Sequence, residues 1–467
     1  MRAPRLLTVF VVSLVATSAG PGNAPLISDL GHARASEDEA DVPASPSAGE
    51  AEPDSTKPRQ LGPKMASLRD RLRRVLAHYE KRKLNTSEHS AWEVMHMVIA
   101  YGLKTEVLVG GPRGEKQTAI GLLCYNRTFQ GNQILTLENG RPIGVIGVGL
   151  QGHHGQLLAI LAQANLSREY PMHVAGRWFK VEDLIENEKL TCRSGMELTF
   201  KLIAMSHYLT TDTKWKNDAG QEWSISRLIR EEIRAPIQGA ACGGTHRLMG
   251  LSQAVRKRQK EGKPIDGEFA RARKYLQDYH RYAFQLQNPD GSFSTQWLEY
   301  REDRPDIERR LQTSGHILEW LAFSLSEEEL RSPDCVRAVD YLVGLLNRHP
   351  DRPWSIGPLG HGLHALALYD ERIFRPLDRK EPSKEPAARE ETVDDRLPPA
   401  REPRSAASEK GPDEQSVLRR SLPTQARRPL PPPAPRPSAS APAMRLQGPR
   451  LSSDAGPELI SPRGRLK

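Results

Sequence analysis

Apolar positions recur at helical spacing through the middle of this 467-residue chain. Trp92, Met95, His96 and Ile99 fall on one helical face, as do Leu157, Leu158 and Leu161, and again Leu198, Leu202 and Met205. Further helices are expected over 247–258, 267–286, 315–325, 333–346 and 360–369, with Gly- and Pro-containing breaks between them. One segment carries the other period. Residues 134–137 and 143–146 flank Glu138-Asn139-Gly140-Arg141, where Asn-Gly supplies the positive φ angles of a tight hairpin turn. The pattern predicts an all-α body with a single β-hairpin as a decoration.

Outside the middle the apolar period disappears. Residues 36–63 are acidic and rich in Ala, Ser and Pro, with Glu37, Asp38, Glu39, Asp41, Glu50, Glu52 and Asp54 and little to bury, which predicts a disordered linker over 25–63. From 377 to 467 Pro, Arg, Ser and Ala dominate, which predicts an extended basic tail. The folded body is therefore expected over 64–376. At the start, Arg2 and Arg5 precede an apolar run over 6–16 and small residues over 17–20, the three-part pattern of a secretory signal over 1–24. The run is too short for a membrane span. Export to a periplasm or the extracellular space is the expectation, without a transmembrane span in the mature chain.

Charge changes the picture little. The formal net charge is +9, but many unbalanced arginines sit in the tail, so the body is not expected to bind nucleic acid, and the tail is suited to an anionic polymer. The four cysteines, Cys124, Cys192, Cys242 and Cys335, form no C-x-x-C pair, which argues against a zinc ribbon or a small disulfide scaffold. Two bridges and four buried thiols both remain open.

A weak repeat links several helices: a glycine, then histidine, then an apolar face. It occurs at Gly152-His153-His154, Gly244-Thr-His246, Gly315-His316 and Gly360-His361, with His89-Ser90-Ala91-Trp92 as a looser copy. Self-similarity at about helix-pair spacing points to stacked helical hairpins. Gln287-Asn-Pro-Asp290-Gly291-Ser-Phe293 resembles the Gln-x-x-x-Gly-x-aromatic turn of the terpenoid cyclase and protein prenyltransferase superfamily. That resemblance implies an α/α toroid over about 84–369. It does not bring terpenoid or prenyl chemistry with it, because the acidic motif of the cyclases and the zinc-ligand spacing of the prenyltransferases are absent.

In such a toroid, inner helices converge on a central cavity whose mouth is lined by helix N-termini, where free N–H groups favour polar or anionic ligands. His246, Arg247, His316 and Glu319 are the expected catalytic residues, and His153, His154, His361 and His364 the expected ligand-binding ones. Histidine exchanges protons near neutral pH, and Arg247 could neutralise a uronate. Each histidine could equally serve only to cap or pack its own helix. His361 and His364 stand i, i+3 and could share a metal, but no third ligand is identifiable, and no cofactor or metal is assigned. Cys242 before a helix start could be a nucleophile or a small residue at a crowded contact. The tryptophans could stack sugars or fill the core.

Three functions fit: a carbohydrate-active protein binding a glycan or other polar or anionic ligand, a non-catalytic envelope scaffold, and an isoprenoid-binding toroid. Limited proteolysis of the full chain should trim residues before about 61 and after about 377 and leave a stable core, because neither flank can bury apolar surface. A tail that resists cleavage without a partner would contradict this.

Overall fold

The computed structural model describes residues 61–378. The expected leader, acidic linker and basic tail lie outside those residues, apart from a few at their junctions. The first stretch comprises α1 (Pro63–Glu80), β1 (Leu84–Asn85), α2 (Ala91–Tyr101), β2 (Glu106–Val109), β3 (Glu115–Thr118) and α3 (Ala119–Cys124). Next come β4 (Leu135–Glu138), β5 (Arg141–Gly144), α4 (Gln156–Gln163), β6 (Pro171–Val174), β7 (Arg177–Lys180) and α5 (Val181–Leu190). They are followed by α6 (Thr199–Tyr208), β8 (Lys214–Lys216), β9 (Glu222–Ser224), α7 (Ile225–Arg234), α8 (Thr245–Lys260) and α9 (Gly267–Gln285). The last third holds α10 (Ile307–Ser324), α11 (Glu327–Leu330), α12 (Pro333–Arg348) and α13 (Ile356–Tyr369). A π-helical turn (Asp370–Phe374) then leads into α14 (Arg375–Asp378). The body is α-helical with small β insertions. Among the described residues no helix is long and apolar enough to cross a membrane.

Local chemistry sets the helix starts. At α2 the Ser90 hydroxyl accepts from the Glu93 N–H at 3.3 Å while the Ser90 N–H donates to the Glu93 carboxylate at 2.8 Å, closing a capping box. The Asp306 carboxylate accepts from the N–H groups of Glu308 and Arg309 and starts α10. Ser332 caps α12, with Pro333 in its first turn.

The expected hairpin is present as β4–β5, with Asn139 and Gly140 both at positive φ and Glu138 paired with Arg141. It is not alone. β6–β7 and β8–β9 are further hairpins, and β2–β3 joins β1 in a three-stranded piece. These strands have only two to four residues, too few for a period of two to declare itself without a turn signal. Three of the hairpins run straight into a helix with the same buried pattern. Ala119, Leu122 and Leu123 follow β3, Val181, Leu184 and Ile185 follow β7, and Ile225, Leu228 and Ile229 follow β9. These nine side chains are buried, so each hairpin delivers its helix with the same face toward the core.

Six helices make the interior series. α2 packs on α4, α4 on α6, α6 on α8, α8 on α10, α10 on α13, and α13 on α2. The others lie against that series: α5 on α4 and α6, α7 and α9 on α8, α12 on α10 and α13, and α1 on α12 and α13. One hydrophobic cluster runs from Leu68 to Phe374. The Gln287 turn ties two of these helices together. Gln287 donates to the Gly291 and Asp334 carbonyls, each at 3.1 Å, and Gly291, at φ 93°, lies so close to the Arg337 backbone that any side chain would collide.

Gly315 and Gly360 correct the sequence reading. They do not open helices: each lies inside one, because α10 begins at Ile307 and α13 at Ile356. Their role is close approach. A Cβ on Gly315 would sit 3.0 Å from the Gly362 nitrogen, one on Gly360 would overlap the His96 backbone, and one on Gly357 the Trp92 ring. Gly244 and Gly155, in contrast, stand at the N-caps of α8 and α4, at φ 75° and 76°. Gly360→Ala should therefore destabilise by about 1–3 kcal/mol in denaturant unfolding, as overpacking does, although alanine is the better helix former. An unchanged or raised midpoint would refute the close-approach role.

Candidate functional site

Five imidazoles meet at one end of the interior series: His96 on α2, His153 in the turn before α4, His246 on α8, His316 on α10 and His361 on α13. The His316 and His361 ring centres are 3.7 Å apart, and His246 lies 5.4 Å from His316 and 5.2 Å from His361. His96 stands 5.1 Å from His361, and His153 6.0 Å from His246. Trp92, Phe200 and Trp297 wall the group, with ring centres 4.0 Å from His96, 5.2 Å from His246 and 5.3 Å from His316 respectively. His96, His316 and His361 are buried, whereas His153, His246 and Cys242 are half-buried.

Four of the rings are fixed by acceptors. Nδ1–H of His96 donates to the Trp92 carbonyl at 2.6 Å, and Nδ1–H of His316 to the Gln312 carbonyl at 2.7 Å, both one turn back on their own helices. Glu319, buried one turn after His316, accepts from Nδ1 of His361 at 2.7 Å and of His364 at 2.6 Å. His153 Nδ1 meets the exposed Glu197 carboxylate at 2.7 Å. His246 differs from all of these. Its Nδ1 is buried and has no hydrogen-bond partner.

Of the eight residues expected from the sequence, His153, His246, His316 and His361 come together. Three do not join them. Arg247 follows His246 by one helical position, about 100° around the axis, and so turns away. It is buried, donates to Glu232 on α7 at 3.2 Å and to the Pro236 carbonyl, and serves packing rather than a ligand. His154 is exposed and lines a groove of about 440 Å³ with Glu138, Arg193 and Lys201. His364 lines another, of about 450 Å³, with Glu80, Lys104 and Arg375. Glu319 stands behind the cluster as the orienting group of His361. The i, i+3 pair His361 and His364 thus shares a carboxylate through Nδ1.

Cys242 and His96 complete the cluster. Cys242, Gly243 and Gly244 are three successive left-handed residues, with φ of 50°, 62° and 75°. This conformation is strained for cysteine, and the next residue, Gly243, lies so close to Trp297, itself at φ 57°, that any Cβ there would overlap the ring. Burial and the nearby Glu319 and Glu197 carboxylates push the thiol up to about 12, so the thiolate expected of a helix-start nucleophile is disfavoured. One ligand atom each of Cys242, His246 and His316 lies within 4.8 Å of the others, so these three could hold a metal. All four cysteines are free thiols. His96 was legible only as a core position. The residue before it is Met95 where α10 and α13 have glycine, so it falls outside the glycine–histidine pattern.

No protein-family model matches the chain, and no curated protein matches it.

Burial makes the cluster acid-sensitive. Burial lowers His96 below its ordinary value; burial with neighbouring imidazoles lowers His246 and His316 well below theirs. On unfolding each returns to about 6.5. Below that pH the unfolded chain binds protons that the folded chain refuses, so stability is retained above about pH 6.5 and lost as pH falls. Each histidine contributes up to about 1.4 kcal/mol per pH unit. Denaturant midpoints measured from pH 8 to 5 should be level at first and then fall steeply. A midpoint indifferent to pH across 7 to 5 would mean that the imidazoles are solvated.

Proposed function

We propose that this chain is an exported α/α-toroid protein whose histidine cup binds a polyhydroxylated ligand such as the end of a glycan. The toroid part is supported by the helix contacts, which run α2, α4, α6, α8, α10, α13 and back to α2, with further helices against them. The observation that carries the ligand reading is the meeting of five imidazoles from five separate elements at one end of that series. Convergent polar groups with aromatic walls favour ligand binding over a purely packed centre.

The cup's chemistry favours hydroxyls over a carboxylate. Arg247 is engaged with Glu232, and burial disfavours the charged form of His246 and His316, so the cup offers hydrogen bonds and ring faces in place of positive charge. A lyase in which Arg247 neutralises a uronate is therefore not supported. The isoprenoid reading loses ground too, since imidazoles crowd where an apolar pocket would be needed.

Calorimetric titration of the mature, untagged chain at pH 7.5 with a neutral oligosaccharide, a chitooligosaccharide, and with an oligogalacturonate tests this. The neutral sugar should bind saturably, and His246→Ala should weaken it by about tenfold or more, which is about 1.4 kcal/mol. Binding confined to the uronate, no binding of either, or equal binding by a folded His246→Ala variant would each overturn the reading.

A further inference from the structure

We propose that Cys242, His246 and His316 form a binding site for one divalent transition metal of the zinc class, with a fourth coordination position left for a small ligand. The inference rests on reading the cup as a binding site, though not on which polar molecule enters it. Around a tetrahedral zinc-type ion, thiolate and imidazole donors stand about 3.3–3.6 Å apart, as bond lengths of about 2.0–2.3 Å require. The three donors here lie within 4.8 Å of one another, so closing on an ion needs a contraction of about 1 Å, within reach of small side-chain rotations.

Three independent features prepare these donors. His316 gives its Nδ1 proton to the Gln312 carbonyl at 2.7 Å, which leaves Nε2 as the atom with a free lone pair. His246 has a buried Nδ1 that nothing else in the protein satisfies, an uncommon and costly state that an ion would relieve. Cys242 sits in a left-handed turn whose next residue, Gly243, lies close against Trp297, and strain of that kind persists where a side chain must be aimed. The spacing Cys242-Gly-Gly-Thr-His246 puts two ligands on one turn, and α10 supplies the third from a distant part of the chain.

The donor set selects the metal. A sulfur with two imidazole nitrogens suits zinc or cobalt(II), while calcium and magnesium require oxygen donors. On binding, the Cys242 thiol forms the S–metal bond and releases its proton to solvent, so the centre keeps a net charge of +1. Three protein ligands leave a tetrahedral ion one position short, the arrangement of open zinc sites. His153, paired with Glu197, stands 6.0 Å from His246 between ring centres. A sugar hydroxyl could complete the shell.

Cobalt(II) added to the chelator-stripped, untagged mature chain is the direct test. About one equivalent should bind, with the visible bands of a tetrahedral ion and a sulfur-to-cobalt charge-transfer absorption in the near ultraviolet. Cys242→Ser should keep its helix content and melting behaviour while losing the charge-transfer band and at least about 100-fold in affinity. His246→Asn should likewise weaken binding but keep the sulfur band at saturation. No stoichiometric binding, or a spectrum and affinity unchanged in a folded Cys242→Ser protein, would overturn the site. The sugar titration repeated on the stripped protein separates the two proposals. If sugar binds and needs His246 while cobalt does not bind, only the metal inference falls. If cobalt binds and no sugar does, only the polyhydroxylated-ligand reading falls.

Discussion

The close approach of α13 to α2 and α10 is the constraint on which the centre depends. Gly357 and Gly360 remove the side chains that would hold α13 off Trp92 and His96, and Gly315 meets Gly362 where α10 crosses. With the backbones this close, the next residues along, His316 and His361, have nowhere to go but against each other, 3.7 Å between ring centres. Larger residues at these glycines would push the helices apart and separate the imidazoles. The same contacts close the helix series, so the packing that completes the fold also assembles the cup.

Packing alone would leave five polar rings at a high desolvation cost. The protein answers from behind each ring: carbonyls of the same helix for His96 and His316, the buried Glu319 for His361, and the exposed Glu197 for His153. Each bond uses Nδ1 and so orients the ring. His246 is the exception, with its buried Nδ1 unsatisfied beside the strained Cys242 turn. Strain and an unmet donor or acceptor are both destabilising, and here they fall at one place, next to the only left-handed cysteine and a left-handed tryptophan among the described residues. Natural sequences carry such local conflicts chiefly where function requires them.

The outer part of the body is built more cheaply. A hairpin of a few residues, then a helix with a buried first position and a buried pair three and four residues on, occurs three times. The hairpins also feed the core, through Val107, Met172, Val174, Trp215 and Trp223, and they set where each following helix begins and which face it turns inward. Elsewhere a buried ion pair performs a similar task. Lys201 on α6, almost fully buried, meets Glu188 on α5 and the Thr191 hydroxyl at 2.7 Å, and so fixes α5 beside α6. A charge so deeply placed demands its partner, which makes the pairing specific rather than strongly stabilising.

Helical period, capping residues and the Asn139-Gly140 turn are local signals, and the sequence alone determined the helical class, most of the helix positions and the β4–β5 hairpin from them. It also marked out histidines at repeated positions, because the repeat is written in residue types. The tertiary structure decided the rest. Whether Gly315 and Gly360 opened a helix or admitted a neighbour depended on the helix across from them, which no local pattern describes. Arg247 could be separated from His246 only once α7 was known to offer Glu232 on the other side, and His96 joined the cluster only because α13 touches α2. The other hairpins stayed hidden because no Asn-Gly turn marks them and their pairing, not their period, defines them. Residues far apart in sequence meet through helix contacts, and those contacts are fixed by the sum of many buried surfaces rather than by any short stretch of chain.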